Sequence, residues 1–230
     1  MKYCFLFAME AEASFLLSSS EILSTERLGN ATVRSCRYGG KEFLVAVSGI
    51  GKVLASSGAT AVCVAHPEVD ALINLGIGGS LDAAKAPCLS AVLASDFAQH
   101  DMDTTPFGDP IGYLYGPDRV KIDADEGLNR DLAAICTEMG IPVTSAPIAS
   151  GDQFIVDENV KSVIVERFGA LSVDMEAAAF AEVCFVYGKP FTALRIVSDA
   201  VDHHNEYLIN KPIAGKMACE VGMGLLRRCA

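Results

Sequence analysis

EAAAFAEVCFVYGKPFTALRIVSD, residues 176–199, decides the fold. Its first half, EAAAFAEVCFVYG, carries small and apolar residues that read as a helix. Its second half, FTALRIVSD, is an apolar run of strand length, the mark of a strand covered on both faces. A helix leading into such a strand is the repeating unit of an α/β protein. Towards the N-terminus the alternation continues: LSVDM (171–175) as a short strand, VKSVIVERFG (160–169) as a helix, 143–149 as a strand and 124–139 as a helix. Residues 100–118, rich in proline and glycine, read as a long loop. SAVLASDF (90–97) is a further strand, and ALINLGIGGSL (71–81) a short apolar strand running into a glycine-rich turn. GIGKVLASSGATAVCVAH (49–66) reads as a helix after a glycine turn. Residues 31–38 and 42–48 alternate apolar and polar about Gly39-Gly40, a hairpin signal. Residues 2–8 form a first buried strand, AEASFLLSS (11–19) has helical spacing, and KPIAGKMACEVGMGLLRRC (211–229) is a last amphipathic helix. The expected fold is α/β, a sandwich with a mixed central sheet. With no linker, repeat or low-complexity stretch, residues 1–230 read as one domain.

Composition narrows the partners. The chain has 230 residues, 51% hydrophobic and 20% charged, with a formal net charge of −11. An acidic surface repels nucleic acid and anionic membranes, which leaves a neutral or cationic small molecule as the easier partner. No apolar run approaches the roughly 20 residues of a membrane helix. MKYCFLFAMEAEA at the N-terminus runs from an apolar stretch straight into Glu10 and Glu12, unlike a signal peptide, so a cytoplasmic location is expected. None of the eight cysteines forms a CxxC pair. Cys63 and Cys184 read as small buried hydrophobes, in keeping with a reducing compartment. His66, His100, His203 and His204 show no metal-ligand spacing, and His203-His204 reads as a solvated surface pair; neither a metal nor a cofactor is expected.

In α/β sheets ligands sit where strands end. Here Glu10 and Glu12 follow the first strand, and Gly76, Gly78 and Gly79 end the glycine-rich one. Ser150, Asp152 and Phe154 follow the strand ending near Ala149, Asp174 and Glu176 follow LSVDM, and Ser198 and Asp199 follow FTALRIV. Each has a plainer reading. Glu12 and Glu176 could be first-turn helix carboxylates favoured by the helix dipole, Asp199 an N-cap and Phe154 a core residue. NLGIGG lacks the GK[ST] or GxGxxG pattern of a phosphate loop. The combination of clusters, not any one of them, points to a convergent pocket.

AMEAE (8–12), SGIGKV (48–53), NLGIGGSL (74–81), SGDQFI (150–155), VDMEAAAFA (173–181) and RIVSDA (195–200) follow one another in an order and spacing that resembles the nucleoside phosphorylase and nucleosidase superfamily. Within it they are most similar to the 5′-methylthioadenosine/S-adenosylhomocysteine nucleosidases. The resemblance runs from residue 1 to about 205. It implies a three-layer αβα sandwich, a homodimer, and hydrolysis of a 5′-substituted adenosine to adenine and a 5-substituted ribose. It assigns Glu12 to the attacking water, Asp199 with Ser198 to purine N7, and Glu176 to the ribose hydroxyls with Met175 packed on the sugar. Phe154 would stack on the base, the Ile155 backbone would read the adenine edge, and Met9, Ile77 and Gly78 would line the pocket. Phe107, on the long loop, resembles an aromatic lent across the dimer to the neighbouring subunit's 5′-substituent pocket. Departures from the usual pattern are Ile77 for Ser or Val, Gly78 for Ala, Gln153 for a small residue, Asp174 for Glu, and Thr104 for a hydrophobic residue.

The chemistry asks for these residue types. Glycoside cleavage passes through an oxocarbenium-like state that carboxylates stabilise. A purine leaves poorly as an anion, so an acid must deliver a proton at N7, and Asp199 is the candidate. An ionised carboxylate must orient water, and Glu12 is placed for that. Hydrogen bonds from ribose hydroxyls to Glu176 strengthen as the sugar becomes positive. A phosphorylase would need arginines on a phosphate dianion, yet no basic residue lies between Val69 and Ala84 and the first loop is acidic. Hydrolysis is therefore expected. The alternatives are a futalosine-type or other purine nucleosidase, a phosphate-dependent phosphorylase, and a non-catalytic nucleoside-binding protein.

Overall fold

Two apolar faces of one sheet organise the chain. A computed structural model describes residues 1–200 and 203–228. The side chains of His203 and His204, and Cys229, lie outside the described residues, and with them the expectation of a solvated histidine pair. The strands are β1 (Tyr3–Phe7), β2 (Glu21–Leu28), β3 (Ala31–Tyr38), β4 (Lys41–Val47), β5 (Ala71–Ser80), β6 (Ala91–Gln99), β7 (Lys121–Asp123), β8 (Val143–Ser150), β9 (Ser172–Asp174) and β10 (Phe191–Asp199). The helices are α1 (Glu10–Ser18), α2 (Lys52–Ala65), α3 (Glu126–Glu138), α4 (Glu158–Phe168), α5 (Ala177–Val186) and α6 (His203–Arg228).

Strand alternation sorts the core. Along β1, Tyr3, Phe5 and Phe7 point to a layer filled by α1, α3 and α6, while Cys4 and Leu6 point to the α2 and α5 layer. All five are buried; each large apolar side chain so covered contributes on the order of 1.5–3 kcal/mol. Helices on both faces of a mixed sheet make the expected three-layer αβα sandwich. No described helix is long and apolar enough to cross a membrane.

The sheet is mixed and partly closed. β1, β4, β5 and β10 run parallel, while β2, β3 and β4 form an antiparallel meander at one edge. At the other end β10 pairs with β6, β6 with β8, β8 with β9, and β9 returns to β5. Five strands therefore form a closed circuit, and the candidate site lies at its rim.

Three expectations need correction. β2 has no counterpart in the sequence reading: its residues are exposed along nearly all its length, so no alternation marks it. ALINLGIGGS is strand to its end, not a strand running into a turn. Gly76, Gly78 and Gly79 keep ordinary backbone angles and are small because neighbours crowd them. A Cβ on Gly78 would stand 2.6 Å from Ser172 Oγ, and one on Gly76 2.7 Å from Glu12 Oε1. Finally, α6 begins at His203, well before the expected start at Lys211, and carries Pro212 in its interior.

Candidate active site

The ends of β1, β5, β8, β9 and β10 open into one cleft of about 680 Å³, its mouth included. Every residue that the family resemblance assigned to the site lines it except Phe107, while Glu10, Gly76, Ser150 and Asp152 from the strand-end clusters do not. Phe107 sits in a short helical turn (Thr105–Phe107) and is 84% exposed.

Glu12 is fixed by two backbone donors. Its Oε2 accepts from the Met9 N–H (3.0 Å) and its Oε1 from the Ile77 N–H on β5 (3.1 Å). The first of these is a helix-capping contact, so the plainer reading is met in part, yet the carboxylate also faces the cleft. Burial raises its proton affinity, and nearby Arg195 and the two N–H donors offset part of that rise.

Glu176 stands at the N-cap of α5 without capping it. Asp174 does the capping, accepting from the N–H groups of Glu176 (3.3 Å) and Ala177 (3.2 Å). Glu176 Oε1 instead accepts from the Gly51 N–H at the start of α2 (2.8 Å). Gly51 has φ +95, which only glycine adopts readily, and this aims its N–H at the carboxylate. Burial, followed by repulsion from Asp174, raises the Glu176 carboxyl to about 7, against the pull of the Gly51 N–H and Arg195.

Ser198 and Asp199 both reach the cleft although they are consecutive on a strand. A bulge between Val197 and Asp199 breaks the alternation against β5, the usual device for re-aiming a side chain beside a site. Ser198 Oγ donates to Asp199 Oδ1 (2.6 Å), and Asn210 Nδ2 on α6 holds the Ser198 carbonyl (2.9 Å). Phe154 is 54% exposed, so it is not a core residue. Tyr207 meets it edge-on with ring centroids 5.5 Å apart.

Two participants escaped the sequence reading. Tyr207 lines the cleft from the first turns of α6, a stretch not read as helix. Arg195 lies inside the quoted RIVSDA and is fully buried. Its Nε donates to Asp174 Oδ2 (2.7 Å) and its Nη2 to Asp174 and Asn74. Its Nη1 has no hydrogen-bond partner and lies beside Gly76, as Glu12 Oε1 does. A lone cation in an apolar strand was the available signal, since such a charge is buried only when partnered. Among the described residues no group of three or more His, Cys, Asp or Glu side chains is arranged to hold a metal.

Known proteins resemble the whole chain. The sequence profile of the phosphorylase superfamily matches residues 2–227. A 5′-methylthioadenosine/S-adenosylhomocysteine nucleosidase of Actinobacillus succinogenes is 34% identical, with 98% of each chain covered. Among solved structures, futalosine hydrolase of Helicobacter pylori overlays with a TM-score of 0.92 at 27% identity, covering 99% of this chain and 98% of that one. The 5′-methylthioadenosine/S-adenosylhomocysteine nucleosidase of Helicobacter pylori with butyl-thio-DADMe-Immucillin-A overlays at 0.93, with the same identity and coverage. A match over nearly its full length, joined to the sheet and cleft described above, makes this chain a member of the phosphorylase superfamily.

Proposed function

We propose that the protein hydrolyses the N-glycosidic bond of a 5′-substituted adenosine, such as methylthioadenosine or S-adenosylhomocysteine. One observation carries this reading: carboxylates from three distant parts of the chain, Glu12, Glu176 and Asp199, face one cleft beside a half-exposed aromatic, Phe154. The purine stacks on Phe154, with the Ile155 backbone on its edge. Asp199, oriented by Ser198, protonates N7. Glu176 takes the ribose hydroxyls. Glu12 orients the attacking water, and the unpartnered Arg195 Nη1 supplies a second contact for it. A carboxyl with raised proton affinity suits a base working near neutral pH. The described lining of the cleft carries Glu12, Asp174, Glu176 and Asp199, and the Arg195 guanidinium behind it is already tied to Asp174 and Asn74, which favours water over a phosphate dianion.

The test is product analysis. Incubated with methylthioadenosine in phosphate-free buffer, the protein is expected to release adenine and 5-methylthioribose; a strict need for phosphate sinks the reading. Asp199→Asn should cut kcat by at least about a hundredfold with the fold intact. Near-full activity in that variant removes Asp199 from the acid's role.

The likeness to futalosine hydrolase supports a second reading, in which the same machinery serves a purine nucleoside with another 5′ group. Competition between methylthioadenosine and futalosine for one enzyme sample decides between them. The exposure of Phe107 supports a homodimer in which it completes the partner's cleft. Light scattering should then give twice the 24.3 kDa chain mass, and a monomer that is fully active refutes it.

A further inference from the structure

Two segments that bear on the cleft and the start of the 100–118 loop meet at a small ring of hydrogen bonds outside the chemistry proposed above. At the start of α2 the Lys52 N–H donates to Asp152 Oδ1 (2.8 Å). The Asp152 N–H donates to Asp101 Oδ2 (2.9 Å), and Asp101 Oδ1 accepts from Lys52 Nζ (2.5 Å). The ring closes through the main chain of two residues and the side chains of all three. Lys52 and Asp152 each stand beside something used in the cleft. Lys52 follows Gly51, whose N–H holds Glu176. Asp152 precedes Gln153, Phe154 and Ile155, which line the cleft. Asp101 opens the loop that carries Phe107.

The Lys52–Asp101 side of the ring is partly covered. The side chains of Lys52 and Asp101 are only 17% and 21% exposed. Gln99 Oε1, at the end of β6, accepts a second bond from Lys52 Nζ (2.9 Å), and Gln99 Nε2 is held by Glu182 (2.7 Å). Burial works against the Asp101 charge, but Lys52 and the Asp152 N–H outweigh it, and the carboxyl stays below its ordinary range. Removing one partner of a pair so covered costs more than breaking a surface pair. The base-side segment has little packing of its own: Asp152, Gln153, Phe154 and Val156 are exposed, and only Ile155 is buried. Segments of that kind open readily unless tied down.

We infer that Lys52, Asp101 and Asp152 form a latch that sets the base-binding segment 153–155 at a fixed place relative to the ribose grip at Gly51 and Glu176. On this view, which rests on the nucleosidase reading, Lys52 and Asp101 are positioning residues for substrate binding and not for bond cleavage. A group that aids substrate and transition state equally shows in KM and leaves kcat alone.

Lys52→Met, Asp101→Asn and Lys52→Arg test this in the full-length protein, by kinetics with methylthioadenosine and by hydrogen exchange without ligand. In the first two variants KM is expected to rise about tenfold with kcat within about twofold of wild type. Lys52→Arg, which keeps the charge, should recover most of the loss. In the same two variants the amides of residues 151–157 should exchange faster while those of β1, β5 and β10 keep wild-type protection. The exchange measurement needs no turnover, so a wild-type protein that cleaves no nucleoside ends the nucleosidase reading and still leaves the latch tested. Unchanged KM and unchanged exchange at 151–157 overturn the latch. So does exchange that quickens throughout the sheet with kcat and KM worsening together, which marks a merely structural role.

Discussion

The tripeptide Gly-Ile-Gly occurs twice, at 49–51 and at 76–78, and the two copies do opposite things. At 49–51 both glycines have positive φ, +99 and +95, and the chain turns into α2. At 76–78 neither does, and the chain runs straight on as β5. In the first copy glycine is needed for its backbone, because an L side chain resists that region. In the second it is needed for its missing side chain, because Glu12, Arg195 and Ser172 occupy the space a Cβ would take. Identical residues thus serve the same cleft by two routes: one turns an N–H towards Glu176, the other leaves room for two charged side chains to come up to a bare strand.

Substitutions separate the routes. The largest effect is expected from Gly76→Ala, whose methyl would stand 2.7 Å from Glu12 Oε1 and 3.2 Å from Arg195 Nη1. Displacing Glu12, the carboxylate proposed to orient water, by about an ångström should cost about a hundredfold in kcat, and steady-state kinetics showing wild-type turnover would contradict the close-approach account. Gly51→Ala should act mainly through the backbone, costing about 1–2 kcal/mol and lowering the thermal midpoint by a few degrees. A calorimetric midpoint equal to wild type would mean that the turn relaxes freely. A pH-dependent effect sharpens the Gly51 side of the comparison. Glu176 has its carboxyl raised from 4.5 to about 7, so between those values the folded state holds more proton than the unfolded chain. Stability from this group is therefore fully present below pH 4.5 and is lost as pH rises through about 7. Melting Glu176→Gln across that window should give a flatter profile than wild type, and parallel profiles would remove Glu176 as the source.

How much of this the sequence disclosed differs by element. Strands buried on both faces, such as FTALRIV, announce themselves by composition, and the carboxylates after them by position. β2 did not, because a strand exposed on both faces carries no pattern of burial. NLGIGGS misled, because glycine signals a turn when its use is conformational and gives no signal when its use is clearance. Arg195 was hidden for a related reason: its partners Asp174 and Asn74 lie far off in sequence, and only the folded sheet supplies them. Tyr207 fell before Lys211, where the amphipathic helix reading began, although α6 starts at His203. Phe107 was read as belonging to another subunit's cleft, and in its own chain it does stand clear of the cleft.

The closed circuit of strands has a consequence for how such a site changes. β9 is three residues long, yet it is laddered to β5 on one side and to β8 on the other. No member of the circuit shifts without breaking two ladders, so the places of Asp174, Arg195 and Asp199 are inherited together or lost together. Variation is left to what hangs outside the ring: the loop at 100–118, the segment around Gln153 and the first turns of α6. A new preference among nucleosides can be written there in a few substitutions, while Asp174, Arg195 and Asp199 stay where the circuit puts them.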